Sequence, residues 1–125
     1  MRHEEEKKSK GYKYSGSNII DEVAWYHIDN NAYILYPVGT KKPNELGTYD
    51  MSGNIWEFCG DWLGDYIDAP QTNPVGQDPD ICVMRGGSCY NDSLLARVSY
   101  RWVLEKNSLA VASFRLVLPA EKKRD

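Results

Sequence analysis

No apolar run in the sequence approaches the ~18 residues a membrane-spanning helix needs, and the first residues lack the apolar core of a signal peptide. Both absences give the expectation of a soluble, unexported chain, cytoplasmic as written. Cysteine is sparse: Cys59, Cys82 and Cys89 form no zinc-ligand or CxxC spacing, and an odd count leaves at least one thiol unpaired within the chain. Histidine is sparser still, and His3 and His27 sit in no ligand or catalytic pattern. Excess basic charge is also missing. Fifteen Lys and Arg against eighteen Asp and Glu leave a net charge of −3, with the basic residues concentrated at the two ends, which argues against a nucleic-acid-binding face. There is no internal repeat and no parallel βαβ alternation, and 125 residues support one domain with a modest core.

What the chain has in quantity is aromatic side chains, nine Tyr and four Trp, a load typical of a loop-rich fold or a binding surface. The stretch Gly47 to Trp62, reading GTYDMSGNIWEFCGDW, mixes turn residues, carboxylates and two tryptophans without a helical period. Such a segment must be buried, yet Asp50, Ser52, Asn54, Glu57 and Asp61 cannot be buried unpaired without a cost of several kcal/mol. Backbone N–H groups of a folded loop, or a hard cation such as calcium, would satisfy those oxygens. Trp56 and Trp62 read as core, whereas Trp25 and Trp102 are left more open.

Around this stretch the elements are short. Residues 1–10 and 120–125 are charged tails. Asn18 or Asp21 can cap a brief helical turn within Ile19–Tyr26. Short strands are predicted at Tyr33–Val38, Ile81–Arg85, Arg97–Val103 and Ser113–Leu118, and the proline-rich Asp65–Asp80 reads as an irregular surface excursion. The fold class expected is α+β, with short antiparallel strands, long ordered loops and little helix.

Three separated fragments, Pro43-Asn-Glu-Leu-Gly with Tyr49-Asp-Met-Ser-Gly-Asn-Ile-Trp-Glu-Phe, then Arg85-Gly-Gly-Ser, then Phe114-Arg-Leu-Val, occur in an order and spacing that resemble the formylglycine-generating enzyme family, or sulfatase-modifying factor domain. The resemblance spans residues 11–119 and corresponds to the C-terminal half of that domain. It implies a variant of the C-type lectin fold. It also implies calcium at Asp50 and Glu57 with backbone carbonyls near Met51, Gly53 and Ile55, the alternative being that these side chains only bond the loop's own N–H groups. A second family calcium site maps to Asn18, Ile19, Asn30 and Ala32, with asparagine where a carboxylate is expected.

Catalysis in the family's enzymes uses two copper-binding cysteines after the Arg-Gly-Gly-Ser motif. Those positions are Asn91 and Ala96 in this chain, and neither supplies a thiolate. Cys89 reads as a small structural thiol and Ser88 as a structural hydrogen-bonding group. Noncatalytic relatives, including the variable proteins of diversity-generating retroelements, bind ligands on the surface matching residues 89–113. Tyr90, Asn91, Asp92, Arg97, Tyr100, Arg101 and Trp102 are therefore the candidate ligand contacts, against the alternative of ordinary surface. The leading expectation is a noncatalytic, calcium-stabilised binding domain for an unknown protein or small ligand. Two alternatives accompany it: an oxidase making formylglycine from a protein cysteine, and a structural fragment that self-associates or needs a missing N-terminal half.

Overall fold

The computed structural model describes residues 9–27, 34–72 and 74–117. A single turn of helix, α1 (Ile20–Val23), precedes four strands: β1 (Trp56–Leu63), β2 (Asp78–Arg85), β3 (Trp102–Glu105) and β4 (Ala112–Ser113). They form one sheet in the order β3-β2-β1-β4. The β1–β2 and β2–β3 pairs are antiparallel, and β1–β4 is parallel, so the sheet is mixed where an antiparallel one was expected.

The strand at Ile81–Arg85 is present and begins earlier, at Asp78. Its predecessors in sequence explain the difference. Asp78 pairs with Leu63 of β1 beyond a register shift, and Pro79, which lacks an N–H, falls within that irregularity, where no ladder bond is needed from it. Tertiary pairing likewise makes β1 out of residues read as loop. Three other expectations are corrected. The described part of Tyr33–Val38 is not a strand. Instead Tyr36 exchanges its backbone N–H and C=O with the Asn54 side chain, at 3.0 Å each, which replaces a strand neighbour. Residues 97–101 turn instead of extending, since Val98 N–H donates to the Lys13 carbonyl and Tyr100 N–H to that of Arg97, and the strand starts only at Trp102. The last strand is limited to Ala112–Ser113 within the described residues.

The apolar core is small. Tyr14, Val23, Ala24 and Ala96 cluster, with Ile20 packed against them, and Val83 and Met84 are buried in β2. Polar residues do the remaining joining. Ser52, at 1% exposure, donates to the Ala96 carbonyl and accepts from Ser15 N–H, which ties the N-terminal loop to the chain after β2. Gly53 N–H donates to Gly86 O and Asn54 N–H to Trp25 O, both at 2.7 Å, while Asn54 O accepts from Cys89 N–H. Gly53 has φ +77°, and a Cβ there would overlap the Trp25 carbonyl, so only glycine fits. At the far end of β1, a Cβ on Gly76 would overlap the Trp62 carbonyl, and Gly76 N–H donates to the Asp61 carboxylate.

Asn54 is itself in the left-handed region, at φ 63°, where a Cβ costs ~1–2 kcal/mol. Replacement by Ala or Gly removes the same side-chain bonds, but only Ala keeps the backbone penalty. Urea unfolding should therefore find Asn54→Ala about 1 kcal/mol less stable than Asn54→Gly, with both well below the parent; equal midpoints would show that the backbone at 54 carries no strain.

Candidate functional site

The 50–57 loop borders a groove of about 420 Å³ at the β4 edge. Asp50, Gly53, Ile55 and Glu57, four of the five residues expected at a metal, line it together with Val38, Tyr49 and Phe114. Met51, the fifth, is 41% exposed and does not line the groove. Two observations bear on whether calcium suits this donor set. Asp50 Oδ2 accepts from Gly39 N–H at 2.7 Å, but its Oδ1 is buried with no partner among the described residues, an oxygen a cation would satisfy. Glu57, by contrast, is already paired. Arg115 Nε reaches Glu57 Oε2 at 2.6 Å and Nη2 reaches Oε1 at 2.7 Å, a bidentate fork, while Nη2 also donates to the Asp50 carbonyl at 3.0 Å. The Glu57 hydrogen bonds hold the Arg115 guanidinium above its ordinary range. The donors thus fit a cation at Asp50, and a cation at Glu57 must share that carboxylate with Arg115. Among the described residues no three His, Cys, Asp or Glu side chains cluster as a metal centre.

Of the second expected site, Asn30 and Ala32 lie outside the described residues. Asn18 Oδ1 accepts from Lys13 N–H at 2.9 Å, and Ile19 is 60% exposed.

The residues named as ligand contacts separate into two groups. Asn91, Asp92 and Arg97 are engaged in shaping the loop: Asn91 Oδ1 accepts from Ser88 Oγ at 2.6 Å, Asp92 Oδ1 from Leu94 N–H, and Arg97 Nε donates to Leu94 O. Tyr90 N–H donates to Ser88 Oγ, so Ser88 is the structural hydrogen-bonding group expected. Tyr100, Arg101 and Trp102 belong to one aromatic surface at the β3 edge. Trp56, buried as expected, has ring centroids 6.4 Å from Tyr100 and 6.2 Å from Trp102, and Trp102 remains 44% exposed. Trp62 is only half-buried, with the Lys106 ammonium 5.9 Å from its ring, because its end of β1 lies against the loop excursion instead of a second layer. Trp25 stacks on Tyr36 at 3.9 Å.

Sequence reasoning missed Tyr66 and Arg85. Arg101 lies over the Tyr66 ring at 4.3 Å and donates to Gly64 O, while Arg85 donates to the Tyr66 hydroxyl at 3.0 Å and to the carbonyls of Val98 and Tyr100. Tyr66 is 73% exposed and was hidden in a segment read only as loop. Arg115 was also missed, although it lies within the Phe114-Arg-Leu-Val motif.

All three cysteines are free thiols, and Cys89 is buried. Burial pushes the Cys89 thiol up, opposed by a hydrogen bond from Tyr90, and burial also raises Cys59, opposed by Arg85. The two positions that would pair as copper ligands hold Asn91, bonded to Ser88, and the methyl of Ala96 at 1% exposure. At pH 8, Cys59 and Cys89 should alkylate with iodoacetamide more slowly than free cysteine, and copper(I) should not alter the rate. Copper protection of either thiol would reveal a thiolate site this geometry does not contain.

With the geometry in hand, comparison with known proteins is specific. The family description "Sulfatase-modifying factor enzyme 1-like domain" matches residues 4–119. Chaperone protein LppX of Paenibacillus barcinonensis is 35% identical over 82% of this chain and 39% of its own length, and the formylglycine-generating enzyme of Streptomyces coelicolor is 38% identical over 42% of this chain and 18% of its own. Among solved structures, Treponema denticola variable protein 1 superposes with a TM-score of 0.75 at 30% identity, over 86% of this chain and 41% of that one. CarF superposes with a TM-score of 0.65 at 25% identity, over 89% and 39%. The chain spans about two fifths of the length of LppX, variable protein 1 and CarF. Its fragments, its mixed sheet with long loops and these matches together place the chain in the sulfatase-modifying factor family.

Proposed function

We propose that the chain is a noncatalytic, C-type-lectin-like ligand-binding domain of the sulfatase-modifying factor family. The observation that carries this reading is the aromatic surface at the β3 edge, where Tyr66, Tyr100, Arg101 and Trp102 come together. It adjoins an open cleft of about 1080 Å³ lined by Tyr66, Ile67, Asp78 and Arg101. Aromatic and guanidinium groups with fixed partners give large contact area for little lost entropy. Arg101 lies over the Tyr66 ring and Arg85 donates to its hydroxyl, so this exposed ring has fixed partners. The oxidase reading lacks the paired thiols at Asn91 and Ala96 that copper chemistry would draw on. Peptides and glycans displayed on an array provide the test. For any probe captured, Trp102→Ala and Tyr66→Ala should each weaken binding by about tenfold or more while the circular dichroism spectrum is kept. Undiminished capture by both variants would remove this surface from consideration.

Calcium belongs to the same proposal as a structural ion. Asp50, with carbonyls of Met51, Gly53 and Ile55, would hold it, and Glu57 would contribute in exchange with Arg115. Bound, it would supply charge opposite the buried, unpartnered Oδ1 of Asp50. Chelation should lower the melting temperature by about 5 °C, and Asp50→Ala should abolish that sensitivity. A melting curve indifferent to both would leave Arg115 as the cation of this loop.

A further inference from the structure

Among the residues lining the groove at the β4 edge, Asp50, Glu57 and Arg115 carry charge, and they do not balance. Two carboxylates face one guanidinium. Arg115 directs its donors at Glu57, with Nε 2.6 Å from Oε2 and Nη2 2.7 Å from Oε1, and the same Nη2 reaches the Asp50 carbonyl at 3.0 Å. The Asp50 carboxylate receives none of these bonds: its Oδ2 accepts from Gly39 N–H, and its Oδ1 is buried without a partner among the described residues. The uncompensated negative charge of the groove therefore sits on Asp50, while its cation is committed to Glu57. A guanidinium keeps its proton at any ordinary pH, so Glu57 leaves the fork only for another cation or for water.

Ligand number turns this pairing into a control of affinity. With Glu57 on Arg115, the loop offers a cation Asp50 Oδ1 and the carbonyls of Met51, Gly53 and Ile55, and the Gly53 carbonyl already accepts from Ile55 N–H. Calcium takes about six to eight oxygens, so this set is incomplete. The two oxygens of Glu57 are the ones that would complete it, and both are bonded to Arg115. We propose that Arg115 sets the affinity of this loop for calcium, holding Glu57 in the calcium-free protein and releasing it when the ion is fully coordinated. The exchange reaches beyond the loop. Phe114, Leu116 and Val117 carry no polar side-chain atom and are 70%, 89% and 81% exposed, so the Arg115 fork is the side-chain tether of the segment after β4. Release of Glu57 frees that segment as well. The inference rests on the calcium reading above and adds to it the residue that regulates the site.

The test uses the whole chain, labelled with nitrogen-15 at arginine, and calcium chloride as the probe. Isothermal titration should show Arg115→Gln binding calcium about tenfold or more tightly than the parent, with Arg115→Lys, which keeps the charge but not the fork, in between. In the parent, the Arg115 Nε–H resonance, assigned by its loss in Arg115→Lys, should shift or broaden as calcium is added, and Asp50→Ala should hold it fixed. Calcium binding by Arg115→Gln alone is the same exchange at its limit and supports the proposal. Equal affinities in parent and Arg115→Gln, or an unmoved Nε–H resonance in a calcium-bound parent, would overturn it while leaving the calcium reading in place. Absence of calcium-dependent heat from both proteins would overturn the two together. If Arg115→Gln does not fold, the resonance of the calcium-bound parent decides.

Discussion

The buried polar joint at Ser52, Gly53 and Asn54 is the contact on which the rest of the molecule depends. From these three residues hydrogen bonds run to Ser15, Trp25, Tyr36, Gly86, Cys89 and Ala96, so one loop turn fastens the N-terminal loops and the chain after β2 to a common point. A protein with few buried apolar residues cannot rely on packing to fix long loops relative to one another. Directional bonds perform that task, and their burial raises the cost of any alternative arrangement. The positive φ angles at Asp50, Gly53 and Asn54 follow from this role, since they turn both the backbone and the side chains of a short loop toward partners on different sides.

Two surfaces result, at opposite edges of the sheet. On the β3 side, Tyr66 is contacted by Arg85 and Arg101, and the rings of Tyr100 and Trp102 lie beside each other. The β4 edge has apolar side chains without cover and a strand of two residues. Between them, Glu57 and Arg115 link β1 to the segment after β4, so the loop expected to hold calcium and the uncovered edge are one structural unit.

Much of this was legible before the fold was known, though unevenly. The demand that Ser52 and Asn54 find partners followed from their burial among aromatic residues, but the identity of those partners did not, because Tyr36, Trp25 and Ala96 are distant in sequence. The strand expected at Arg97–Val103 shows the opposite case. Its alternation was real, but Lys13 captured Val98 and the chain turned before extending at Trp102. Tyr36 likewise has strand propensity and spends its backbone groups on an asparagine side chain. Local preference loses wherever a long-range bond satisfies the same groups more cheaply.

The sequence by itself determined the family, through three motifs whose order and spacing survive without coordinates, and it determined that Asn91 and Ala96 supply no thiolate, because side-chain chemistry is independent of fold. Tertiary structure alone decided that Arg115 reaches Glu57, that Tyr66 joins Arg85 and Arg101, and which apolar residues remain uncovered. These pairs lie 58, 19 and 35 positions apart, as read from Glu57 to Arg115, Tyr66 to Arg85 and Tyr66 to Arg101. No local pattern encodes contacts at such separations; they arise only when the sheet has set its strand order and register.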